Sequence, residues 1–244
     1  MLWSVLYKEF LELKSDKGAI ARLALQSIVY GLFFPTVMYL QLVGVLPMEI
    51  GDVVLTEAEK VTIVKHSLET FGPLLLPFFV SVMASLLVIP SIVQETESRT
   101  LERLLSLPLS WRNILFGKFL FYFAISLACA YIIVSIYFLL SSAIVEAFQP
   151  PDLGTYLLVL VPAVSFYTVS AGLFVSARAR SVRSANVLGG FLTVGLFLLV
   201  FFLSWFAGVE PGRDIIVTFS LVLFVVGAKL IYLTAKVNPE KLLT

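Results

Sequence analysis

The chain has 244 residues, 59% of them hydrophobic and 14% charged, with a formal net charge of +1. A mean hydropathy of +1.00 is more apolar than a soluble domain of this size can hide, so the broad class is a polytopic helical membrane protein. The near-neutral balance gives no case for nucleic-acid binding, and the single cysteine, Cys129, rules out a disulfide framework within the chain.

The first residues do not form a cleavable signal, because Lys8, Glu9, Glu12 and Lys14 interrupt the apolar residues. Trp3, Leu6, Phe10 and Leu13 instead recur at spacings of three and four. This predicts an amphipathic helix over residues 1–17, lying in the membrane interface with Trp3 at headgroup depth. Six apolar segments of membrane-spanning length follow, at Ile20–Leu42, Phe71–Val93, Phe116–Leu140, Tyr156–Ala177, Val187–Ala207 and Ile215–Ala235. They are too long, and too little alternating, for strands of a barrel.

Between the first two spans, Thr56 and Glu59 form a capping-box pattern ahead of the stripe Val61, Val64, Leu68 and Phe71. The pattern predicts a short external amphipathic helix, broken from the second span at Gly72-Pro73. The competing reading is a simple outward extension of that span. Proline also interrupts the spans at Pro35, Pro77, Pro90 and Pro162. Ala185 and Gly189 make a small-xxx-small pair suited to close helix packing within the chain. The aromatics Phe119, Phe121, Tyr122 and Phe123 either line a path or face lipid and neighbouring helices.

Basic residues set the orientation. Lys8, Lys14, Lys17, Arg22, Arg99, Arg103, Arg112, Lys118, Arg178, Arg180, Arg183, Lys229, Lys236 and Lys241 fall on one side; only Lys60, Lys65 and Arg213 fall on the other. Both termini and the 94–115 loop are therefore expected in the cytoplasm of a plasma-membrane protein. The whole chain reads as one all-α transmembrane domain.

The 94–115 loop is the longest polar interruption on that side. Charged Glu95, Glu97, Arg99, Glu102 and Arg103 alternate with Leu101, Leu104 and Leu105 at helical spacing, predicting a short amphipathic helix that Pro108 stops. Ser110 can cap the next helix at Trp111. Either a docking helix or a plain connector fits this pattern. The order Thr100-Leu101-Glu102, Leu104-Leu105, Pro108, Ser110 and Gly117-Lys118, between the second and third spans, resembles the first cytoplasmic loop of type-2 ATP-binding-cassette permeases. The resemblance implies a coupling helix seated in an ATPase subunit, with Glu97, Arg99, Leu101, Glu102, Arg103, Leu104 and Leu105 as partner-binding residues. It further implies a dimer with a second permease copy or a homologous one, export as the direction, and ATP and magnesium on the partner ATPase. One family feature is not expected: the Ser204–Arg213 link is too short for re-entrant external helices.

No P-loop, HExxH, GxSxG or Cys/His cluster is present, and His66 has no partner resembling a metal site, so neither catalysis nor a metal centre is expected. No Asp or Glu sits at the middle of a predicted span, which argues against an ion-coupled carrier. An alternative of another class is a membrane scaffold or assembly subunit that transports nothing.

Overall fold

The structure is a computed structural model that describes residues 2–15, 17–43, 56–98, 100, 110–145, 148, 153–192, 195 and 213–237. All regular structure among these residues is helical. Helix α1 (Leu2–Ser15) leads into α2 (Lys17–Leu42). Then come α3 (Glu57–Val88) and α4 (Pro90–Glu97), followed by α5 (Trp111–Ile144). Helix α6 (Val161–Ser176) is entered through the turn Leu153–Thr155 and a π-helical turn, Tyr156–Leu160. Helix α7 covers 182–192, and α8 is Arg213–Ala235.

Among the described residues, five stretches are long and apolar enough to cross a membrane: Ile20–Leu42, Phe79–Glu97, Trp111–Ile144, Tyr156–Ser176 and Ile216–Ala235. The second lies further along the chain than the sequence predicts, and the third is longer at both ends. Of the expected span Val187–Ala207, only the first residues are described, and they belong to α7. The Ser204–Arg213 link lies outside the described residues, apart from its last residue.

Helix α6 is the centre of the bundle: two-thirds of its apolar window (67%) is buried, against 17% for α2 and α8. Helices α3, α5 and α8 surround it, and α2 packs against α5. The two larger of three apolar clusters among the described residues lie along its length. One gathers Val64, Leu68, Leu76 and Val80 of α3 with Ile133, Val134 and Tyr137 of α5 and Val161 and Val164 of α6. The other gathers Ala84, Val88, Ile92, Trp111, Leu115, Phe119, Val169 and Leu173. Phe119 stacks on Phe123 along α5 and meets Phe166 of α6 edge to face, so it packs one helix on the other.

The capping box at Thr56 is formed: its hydroxyl accepts from the Glu59 amide, and the Glu59 carboxylate accepts from the Thr56 amide at 2.8 Å. The Thr56 hydroxyl also donates to that carboxylate, at 2.7 Å, and with the amide it holds the Glu59 carboxyl below its usual range. The expected break at Gly72-Pro73 does not occur. Helix α3 runs unbroken for 32 residues, so the segment after Thr56 is continuous with the helix of the second span and is not a separate amphipathic helix. At 1.5 Å per residue α3 is about 48 Å long, well beyond the roughly 30 Å hydrocarbon layer. Val64 and Leu68 before Pro73, and Leu76 and Val80 after it, belong to one buried cluster, which keeps the two halves on one axis. The Tyr137 hydroxyl adds a hydrogen bond to the Leu68 carbonyl.

Pro162 has a different remedy. In the π-helical turn the Val161 amide reaches back five residues to Tyr156. The Leu157 carbonyl would next accept from residue 162, which as proline has no N–H. The Tyr131 hydroxyl donates to it instead, at 3.1 Å.

Candidate functional site

The continuous axis of α3 ends at Ile89, because Pro90 cannot donate to the carbonyl one turn back. Helix α4 restarts there with free amides at its N-terminus. No side chain of its own caps it. The buried Ser176 hydroxyl of α6 accepts from the amides of Ile92 and Val93 at 2.9 and 3.1 Å. Leaving each such buried amide unpaired would cost about 1–3 kcal/mol. The hinge is also packed: Ile89 and Val93 meet Val175 and Ala185. Gly189 lies so close that a Cβ there would fall 2.0 Å from Ile89 Cδ1. The Ala185/Gly189 pair therefore serves packing within the chain, as the sequence suggests.

At its other end α4 is tied twice. The Glu97 carboxylate accepts from the Val182 amide at 3.0 Å, at the N-terminus of α7, where a carboxylate is favoured by the helix dipole. Ser98 and Thr100 hydroxyls lie 2.9 Å apart, and each donates to the Glu95 carbonyl, at 3.4 and 3.3 Å.

Along its middle α4 meets a buried ionic cluster. Lys118 of α5 is 2% exposed and Glu9 of α1 is 3% exposed. Their charged ends lie 2.6 Å apart, and Lys118 Nζ is 3.2 Å from Glu95 of α4. The same ammonium donates to the Ser91 carbonyl at 3.3 Å, one residue past the Pro90 break. Lys8 bonds the same Glu95 oxygen and pairs with Glu12 at 3.3 Å. The Tyr122 hydroxyl donates to the second Glu9 oxygen at 2.8 Å. Burial works against charge on Lys8, but Glu95, Glu9 and Glu12 outweigh it and raise its pKa above the ordinary lysine value. Gly117 makes the approach possible: a Cβ there would lie 2.9 Å from Val5 of α1. The Gly-Lys pair thus has two separate physical tasks, space for α1 and a cation for its acid.

Glu9, Glu12 and Glu95 each bring one oxygen within 4.8 Å of the others, a spacing that a cation suits. The cations that the structure places there are the two lysine ammoniums, which fits ion pairing rather than metal ligation.

A family model described as ABC-2 type transporter matches residues 1–205. The chain belongs to the ABC-2 type transporter family. Comparison with curated proteins gives no match. Together with the apolar helices, membership makes the chain a multi-pass membrane protein and a permease subunit of an ABC transporter, a part that is not itself catalytic.

Of the seven residues expected to meet an ATPase in this ABC-2 permease, the structure places one. Glu97 is exposed, yet its carboxylate is engaged with α7. Arg99, Leu101, Glu102, Arg103, Leu104 and Leu105 lie outside the described residues. The residues that sequence reasoning missed are Glu9, Glu95, Lys118 and Ser176. A signal existed for the first: Glu9 sits three residues after Leu6 and four before Leu13, an acid on an otherwise apolar stripe.

The structure shows which residues of α1 face the bundle. Val5 and Glu9 are buried in it, while Trp3 is 77% exposed and Phe10 53%. Of the predicted stripe, Trp3 and Phe10 are exposed, with Tyr7 beside them, while Leu6 and Leu13 are half-buried.

Proposed function

We propose that this permease forms the export pathway as a dimer, with a second copy or a homologous permease, and is driven by separate cytoplasmic ATPase subunits that carry ATP and magnesium. The whole chain serves as one transmembrane domain in the plasma membrane, both termini in the cytoplasm. Residues 94–115 are the docking loop, and Glu97, Arg99, Leu101, Glu102, Arg103, Leu104 and Leu105 are its contact residues. In the dimer, ATP-driven closure of the ATPases would shift this loop and move the spans as rigid bodies. The exposed aromatic face of α1 would rest in the lipid interface.

The observation that carries this reading is α4: a short helix, set off from its span by a proline and held by four other helices, leading directly into the loop that resembles the coupling segment. A plain connector needs no such support.

Two measurements test it. Co-expressed with its ATPase subunit, the chain should co-purify in detergent and support ATP-dependent efflux from cells or uptake into inside-out vesicles. Absence of both would favour the scaffold reading. In a Cys129→Ser background, Lys60→Cys and Asp152→Cys should label with an impermeant maleimide on intact cells, whereas Ser106→Cys and Ser181→Cys should not. The reverse pattern would overturn the orientation.

A further inference from the structure

Buried ion pairs are rarely better for stability than apolar packing of the same volume; what they supply is one defined register. The pair between Glu9 and Lys118 is of this kind. It joins residues 109 positions apart, both almost fully buried, and it is shared with a third helix through Glu95. A helix bound only to lipid would have no reason to turn Glu9 away from water. Lys118 also touches both α1 and the hinge, through Glu9 and the Ser91 carbonyl.

We propose that Glu9, Lys118 and Glu95 form an ionic latch that makes α1 and α4 one body, so that the N-terminal helix sets the position from which the coupling loop departs. In this view they are positioning residues for the loop. The latch deepens the coupling reading and rests on it for its purpose, though its existence does not depend on an ATPase.

Several features give the latch its shape. Gly117 lets Val5 reach the α5 backbone, which brings Glu9, one turn later on the same face of α1, onto Lys118. Lys8, next to Glu9 in the chain, crosses to Glu95, so α1 grips α4 directly as well as through α5. The α4 helix is free to be positioned in this way because Pro90 separates it from α3 and its amides are capped from outside. A displacement of α1 along the membrane surface must then carry α4 with it, or break two buried charge contacts.

The test uses the full chain in lipid nanodiscs, with Cys129→Ser as background and pairs of nitroxide labels read by electron–electron resonance. One pair is Trp3→Cys with Gln94→Cys, across α1 and α4; the other is Gln94→Cys with Arg180→Cys, from α4 to the loop before α7. All three sites are exposed. Each pair should give one narrow distance. Glu9→Gln, which keeps shape and removes charge, should broaden both distributions. Tyr122→Phe, which removes only the neutral hydroxyl bond to Glu9, should leave both narrow. A narrow first distance in Glu9→Gln would show that α1 is held by packing alone and would overturn the latch. Broadening of the first distance with the second unchanged would show that α1 moves freely of α4, and would equally overturn it. Failure of the wild-type chain to bind its ATPase would instead remove the coupling reading, while these distances still decide whether the latch exists.

Discussion

Replacing Lys118 with Met should release α1 from the bundle while leaving the membrane helices folded. The substitution conserves length and apolar volume, but it leaves Glu9 (3% exposed) and Glu95 (8% exposed) without the ammonium between them. Removing one partner of a buried pair costs roughly 3–5 kcal/mol. That is a large share of the roughly 5–15 kcal/mol that holds a typical protein folded. Glu9 can escape by undocking α1 into water, which is far cheaper than unfolding the spans. The expected result is therefore local: faster amide exchange over Val5–Glu12 and proteolysis within α1, with the exchange of α5 and α6 nearly unchanged. The double variant Glu9→Gln with Lys118→Met strands one charge fewer and should recover part of the protection. Wild-type exchange rates in Lys118→Met would show that the two acids tolerate burial without it, and that the contact contributes little.

The parts of the fold that were legible in the sequence are local ones. Thr56 and Glu59 announce a helix start because a capping box needs only four residues, and the structure forms it. Ser110 likewise accepts from the Asn113 amide at the start of α5. Pro90 marks a break because a missing N–H acts at one turn's distance. Gly72-Pro73 misled for the complementary reason: whether a proline breaks a helix depends on what packs on either side, and Leu68 and Leu76 share a core that sequence periodicity does not reveal. The ionic cluster was hidden more deeply. Lys118 reads from sequence as one more basic residue setting topology, and its partner Glu9 is 109 residues away. Periodicity could find the apolar stripe of α1, but in a membrane protein both lipid and protein reward apolar residues. The stripe alone therefore cannot say which of its residues face which; the misplaced acid on it was the usable clue.

The second large effect is expected in the loop itself. Replacing Leu104 and Leu105 together with Asp should abolish productive docking of the ATPase while leaving the membrane helices assembled. Both ends of the loop are anchored independently of these leucines. Glu97 holds the end of α4 to α7, and Trp111 Nε1 donates to the Thr234 carbonyl of α8 at 3.3 Å, fixing the start of α5. The leucines either fill a groove on the ATPase or seat the helix against the membrane ends, and a charge at each position disrupts both arrangements. Burying a leucine is worth about 1.5–3 kcal/mol, so losing two removes roughly 3–6 kcal/mol of docking energy. In affinity this is a loss of at least about a hundredfold. The measurement is binding of the purified ATPase to the variant in nanodiscs, together with ATP hydrolysis by the complex. Insertion and dimerisation should match wild type by size-exclusion chromatography, with binding lost and hydrolysis no longer responding to the permease. If the doubly charged loop still binds the ATPase with unchanged affinity and hydrolysis remains coupled, the loop is only a connector, and the ATPase must engage this permease elsewhere.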